Sequence, residues 1–227
     1  MKIHRIHPWQ IPLEDAARLQ NELAARLQEE PLDAERVRFV AGADVSYEQA
    51  SDTMFAAVVV VNYLGLDVVE EATAVKTTRF PYIPGFLSFR EGPALLAAFE
   101  KLRQVPDLVL FDGQGIAHPR GMGVASHLGL FLDLPSIGCA KSVLVGSYST
   151  PGTERGSTSA LIYRGRQVGA VVRTRTGVSP VIVSVGHRAD LAGAIEVVLR
   201  LAPRFRIPEP IRRAHILANK TRAGLSE

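Results

Sequence analysis

Phe55-Ala-Ala-Val-Val-Val-Val61 is an unbroken apolar run of strand length. A strand with no polar residue on either face must be covered on both, so this one belongs deep inside a sheet. It opens the second of three strands. Val37 to Tyr47 precedes it and Leu66 to Thr77 follows it, while the second strand itself runs from Phe55 to Leu64. The polar turn at Ser51-Asp52 and a tight turn near Gly65 separate them, which gives an antiparallel meander.

Downstream the pattern changes. After Pro81-Tyr-Ile-Pro-Gly85 a helix is expected from about Glu91 to Arg103, then the short strand Leu108-Val-Leu-Phe111. A helix around Met122 to Leu132 and a strand at Ser136 to Ala140 follow, and such alternation favours parallel pairing through crossovers. The core order is therefore β-β-β-α-β-α-β. Upstream, Leu13, Ala16, Ala17, Leu19, Leu23 and Leu27 recur with helical spacing, which predicts a helix from Pro12 to Glu30 closed by Pro31. Further strands at Ala160 to Tyr163, Gln167 to Thr174 and Val181 to Ser184, and helices at Asp190 to Leu201 and Glu209 to Leu225, would extend or cover this unit. With no internal repeat and no low-complexity linker, the expectation is a single α/β domain spanning residues 1–227. Its mixed sheet has three antiparallel strands followed by parallel strands and is flanked by helices.

Composition narrows the function classes. With 47% hydrophobic and 22% charged residues the chain reads as an ordinary globular protein. His4, Arg5, His7 and Gln10 interrupt the N-terminal segment, so no signal peptide is expected. No segment has the roughly 18 consecutive apolar residues of a membrane helix. The lone Cys139 excludes an internal disulfide or a thiolate metal cluster, and a cytoplasmic protein without membrane attachment is expected. The net charge is only +3, but Arg200, Arg204, Arg206, Arg212, Arg213, Lys220 and Arg222 crowd the last segment against Glu209 and Glu227 alone. Such a run either attracts a phosphate backbone or forms a solvated helix face.

Carboxylates sit where the strands are otherwise apolar. Asp44 is the one charged residue among Phe39 to Val45, and Asp112 directly follows Leu108-Val-Leu-Phe111. Either alone reads as a cap or turn residue. Together, on neighbouring strands, they would present two desolvated charges at one sheet edge, an arrangement that calls for a cation. Glu91, expected at a helix start where the dipole favours a carboxylate, would complete a set of hard oxygen ligands suited to Mg²⁺. A site of that kind suits phosphodiester hydrolysis. His215, grouped by helical spacing with Ile211, Ala214 and Ala218, should point inward as a core or functional histidine. Lys141, after the strand Ser136 to Ala140, is either a surface residue or a phosphate contact. Pro81-Tyr-Ile-Pro84-Gly85 fixes a stiff loop around Tyr82, whose ring is free to pack on the core or stack on a base. Gly113-Gln-Gly115 lets backbone approach a ligand but lacks the spacing of a dinucleotide fingerprint.

Several of these segments occur together and in order: Phe80-Pro-Tyr-Ile-Pro-Gly85, Phe89-Arg-Glu-Gly-Pro93, Phe111-Asp-Gly-Gln-Gly115 with His118-Pro119, Gly138-Cys-Ala-Lys-Ser142, and Pro208-Glu-Pro210 with Ala214-His215. Over nearly its whole length the chain resembles the endonuclease V family. The resemblance implies a ribonuclease H-like fold and a Mg²⁺-dependent endonuclease, with Mn²⁺ able to substitute. It implies that Asp44, Glu91 and Asp112 organise metal and water, and that Lys141 and His215 assist at the active site. Tyr82 and Pro84 then belong to a strand-separating wedge, and Gly85, Leu87, Gly113, His118 and Gly138 to the region that holds an extruded deaminated base, chiefly inosine. Cleavage is expected at the second phosphodiester bond 3′ to the lesion, leaving 3′-hydroxyl and 5′-phosphate ends, as an initiating step of DNA repair by a monomeric enzyme. At Ser184-Val185-Gly186-His187 the family more often has proline in place of Val185, a departure that bears on the local turn and not on the chemistry. Three other readings stay open: a structure-selective ribonuclease H-like nuclease, an endoribonuclease acting on inosine in RNA, and a non-catalytic lesion-binding module.

Overall fold

The structure, a computed structural model, describes residues 1–48 and 51–224. The meander forms as expected from β1 (Phe39–Glu48), β2 (Thr53–Asn62) and β3 (Val68–Thr77), with both pairings antiparallel. β4 (Leu108–Phe111) then lies parallel to β1, and β5 (Ser136–Ala140) parallel to β4. Beyond them β6 (Thr158–Tyr163), β7 (Arg166–Val172) and β8 (Val181–Val185) extend the sheet antiparallel, giving the order β3-β2-β1-β4-β5-β8-β7-β6. This is the α/β mixed sheet that the sequence predicted.

Helices cover both faces. On one side α2 (Leu87–Phe99) and α3 (Val124–Leu132) pack Leu95, Phe99, Leu128 and Phe131 against Ala56, Val58, Val60, Val109 and Phe111. On the other, α4 (Leu191–Leu201) and α5 (Glu209–Ala223) pack Val197, Val198, Leu201, Ile211 and Ala214 against Val40, Val59, Val61, Leu108 and Leu110. Alternate residues of β2 therefore enter opposite cores, which is why its apolar run is unbroken.

Helix boundaries differ from expectation, and α2 also ends four residues before Arg103. α1 (Leu13–Ala24) stops six residues before Glu30. Arg26 and Leu27 close a tighter final turn on the carbonyls of Leu23 and Ala24, and Gln28 is taken up by the backbone of Arg188. Tertiary contact, and not Pro31, ends this helix. α2 begins four residues before Glu91, directly after the Pro84-Gly85 turn, and accommodates Pro93 inside it. Glu91 thus lies in the second turn, where the helix dipole gives it little. At the C-terminal end, the expected limit of α5 at Leu225 lies outside the described residues. Among the described residues no helix is long and apolar enough to cross a membrane.

Candidate active site

Register alone brings the two aspartates together. Ala43 pairs with Phe111 across the parallel β1/β4 ladder, and the amide of Asp112 donates to the Ala43 carbonyl at 3.2 Å, so Asp44 and Asp112 follow side by side. Their side chains are only 12% and 14% exposed. Glu91 faces them from α2 strongly enough for all three charges to interact. Burial first, and then repulsion from Asp112, pushes Asp44 up to about 6 despite its bond to His215. Burial, followed by the charges of Asp44 and Asp112, likewise holds Glu91 well above the usual carboxylate range.

Each aspartate has a basic partner. The ammonium of Lys141 donates to Asp112 Oδ2. Although burial alone would lower the Lys141 pKa, the Asp112 carboxylate raises it above the ordinary value, keeping the lysine charged. His215 Nδ1 lies 2.7 Å from Asp44 Oδ2. Contrary to expectation this histidine is not turned into the core: its side chain is 54% exposed at the sheet edge. Asn219 Nδ2 lies 3.1 Å from His215 Nε2 and 3.0 Å from its carbonyl, while Asn219 Oδ1 accepts from Ser46 Oγ at 2.9 Å. With the amide so oriented, Nε2 is an acceptor and Nδ1–H donates to Asp44. Sequence reading missed Asn219 and Ser46. Their signal is spacing, one helical turn after His215 and two strand residues after Asp44.

Among the described residues no three acidic, histidine or cysteine side chains are disposed to enclose an ion. Asp44 is bonded instead to His215, and Asp112 to Lys141. Their chemistry nonetheless fits a divalent cation: three hard oxygen donors, desolvated and mutually repelling, are relieved by positive charge placed between them.

A cavity of about 340 Å³ adjoins Asp112 and Lys141. Gly85, Leu87, Gly113 and His118, four of the residues the resemblance gives to a base-holding region, line it together with Tyr82 of the expected wedge. Of the base-region set only Gly138 does not line it, and neither does Pro84 of the wedge. Pro84 is exposed beside the cavity, and Gly138 is buried in β5, where a Cβ would come within 2.4 Å of the Gly115 amide. Gly138 therefore lets the Gly113–Gly115 turn lie against β5. His118 borders the space but spends both nitrogens on backbone: Nε2 donates to the Gly85 carbonyl at 2.9 Å, and Nδ1 accepts from the amides of Arg120 and Met122 at 3.2 Å. Burial holds it neutral, with its pKa pulled down to about 4. The same Gly85 carbonyl accepts from Gln20 Nε2 at 3.1 Å and Arg120 Nη2 at 2.8 Å, and Arg120 Nε donates to Gln20 Oε1 at 2.5 Å. This clamp fixes the loop that carries Tyr82, which is 68% exposed. A larger cavity of about 420 Å³ lies beyond His118 and Arg120 and contains none of the carboxylates.

The late basic run is mostly spent on structure. Arg212 and Arg213 pair with Glu209, Arg200 lies over the Tyr63 ring, and Arg206 braces the carbonyls of Lys141 and Pro180.

Comparison with known proteins points to one family. A profile described as Endonuclease V matches residues 21–216. The chain is 48% identical to an endonuclease V of Trichormus variabilis over 96% of its own length and 99% of that protein's. The crystal structure of the endonuclease V of Streptomyces avermitilis superposes with a TM-score of 0.93 at 43% identity, covering 100% of both chains. The endonuclease V of Ciona intestinalis, solved with a 24mer DNA containing an inosine followed by a ribo-adenosine, has a TM-score of 0.83 at 25% identity and covers 94% of this chain and 98% of that one.

Proposed function

The chain belongs to the endonuclease V family, and on that premise we propose that it is a metal-dependent endonuclease recognising deaminated bases, chiefly inosine, in DNA. It hydrolyses the second phosphodiester bond 3′ to the lesion, leaving 3′-hydroxyl and 5′-phosphate ends. The reading is carried by one observation: two desolvated aspartates emerge side by side from parallel strands, with a third carboxylate near enough to be repelled by both and a lysine and a histidine bonded to the pair. The relative solved with inosine-containing DNA supports the substrate class.

Asp44, Asp112 and Glu91 would hold Mg²⁺, with Mn²⁺ able to replace it. Bound there, a divalent cation supplies charge neutralisation on the scissile phosphate and lowers the pKa of water. The residues of the chain do the rest. Lys141, kept charged by Asp112, offers positive charge to the phosphate or to the departing oxygen. His215, held by Asn219, orients Asp44. Tyr82 occupies the gap a flipped nucleotide leaves, while Gly85, Leu87, Gly113 and His118 shape the cavity that receives the base; Pro84 stiffens the wedge, and Gly138 backs the Gly113 turn. The protein acts as a monomeric single domain in the cytoplasm.

A Mg²⁺ titration of cleavage on matched strands containing inosine or adenosine, each as DNA and as RNA, tests this. Nicking that needs both the metal and inosine is the expected result. Binding without nicking would leave only a lesion-binding module, and preference for the RNA strand would make the enzyme an endoribonuclease.

A further inference from the structure

Gln114 stands two residues beyond Asp112 in the wall of the base-sized cavity and is buried. Its Nε2 donates to the Ser142 carbonyl at 2.9 Å. That bond fixes the amide, because turned over it would set oxygen against oxygen. Its backbone carbonyl is committed too, accepting from the Ala125 amide at 3.0 Å. What remains is Oε1, shut away from solvent and without a hydrogen-bond partner among the described residues. A buried acceptor left unpaired destabilises a fold, and such an atom on a residue that walls a ligand-sized cavity points to a donor supplied from outside.

The chemistry of deamination supplies that donor. Adenine presents a bare N1 lone pair, whereas hypoxanthine carries N1–H; cytosine presents a bare N3, whereas uracil carries N3–H. An oxygen that can only accept satisfies the deaminated base and confronts its parent with lone pair against lone pair. We propose that Gln114 Oε1 is the specificity-determining acceptor that reads the ring N–H created by deamination. For an entering base to reach the oxygen, Ser142, held through its carbonyl by the same amide, has to shift. This inference rests on the deaminated-base reading above.

The test is binding of labelled single strands in EDTA, where no cutting occurs, followed by fluorescence anisotropy. The strands carry hypoxanthine, unsubstituted purine, uracil or cytosine at one position. Wild type should prefer hypoxanthine over purine and uracil over cytosine. Gln114→Met, similar in length but without the acceptor, should lower both preferences by about tenfold or more while binding the purine strand within about twofold of wild type, the scale expected for one hydrogen bond at a site built for it. Equal weakening on all strands, or unchanged preferences, overturns the proposal. Should Gln114→Met not fold, the wild type is measured on a strand carrying N1-methylhypoxanthine, which lacks the ring N–H and should bind no better than the purine strand; binding as tight as to hypoxanthine overturns the proposal. A wild type indifferent to hypoxanthine would instead overturn the deaminated-base reading itself.

Discussion

At Asp112 a single carboxylate faces Lys141 on one side and two other buried acids on the other. Asp112→Asn keeps the size of the side chain and removes its charge. Cleavage of an inosine-containing strand in Mg²⁺ should fall by roughly 10²–10³-fold or more, while binding of that strand changes only a few-fold. Single-turnover rates beside anisotropy on the same preparation decide it; a variant that still cuts at the wild-type rate removes Asp112 from the chemistry. Asp44 and Asp112 were legible because a charge interrupts an apolar strand and burial then has to be explained. Gln20, Arg120, Asn219 and Gln114 were not, since each acts through a polar contact that only the folded chain creates. Arg120, for instance, meets Gln20 across 100 residues of sequence.

Among the elements, α5 rests on β1 through one glycine. A Cβ at Gly42 would come within 2.1 Å of the Pro210 carbonyl carbon, so the first turn of the helix touches the strand backbone. Gly42→Ala should cost about 1–3 kcal/mol of stability by overpacking. It should also cut activity disproportionately, because lifting α5 draws His215 from Asp44. Urea midpoints and kcat measured together check both, and destabilisation with unchanged kcat would show that the helix position does not govern the site. The loop before α2 makes a different prediction. Tyr82 is exposed on a clamped turn, so Tyr82→Ala should slow cutting of duplex about tenfold or more while single strands lose far less, stacking being what offsets base extrusion. Equal losses on the two substrates would argue against a wedge. Element types were readable from periodicity, and helix limits were less so. α2 starts before Glu91 and holds Pro93 inside it, and Leu27 kept the helical spacing after the chain had turned to meet Arg188.

The whole molecule carries its buried histidines neutral. Burial pulls His118 to about 4, and it holds His127 well below the usual range as well. The sign follows from the unfolded chain, which binds these protons first as pH falls. Stability is therefore intact above pH ~6.5 and declines as pH drops toward 4, by roughly 3 kcal/mol from His118 alone. Asp44 and Glu91, shifted upward, act in the opposite direction but equally in a His118 variant. Urea midpoints between pH 7 and 4 should thus fall less steeply for His118→Gln than for wild type, and parallel curves would contradict a neutral His118. At this scale the topology was plain from the order of apolar runs. The antiparallel extension through β8, β7 and β6 was less plain, since partner and direction depend on contacts far apart in sequence. The bond between Asp44 and His215 joins positions 171 residues apart, from the first strand to the last helix. A polypeptide still being made at the ribosome carries its acids long before it carries that imidazole, so a chain halted before α5 lacks the group that holds Asp44.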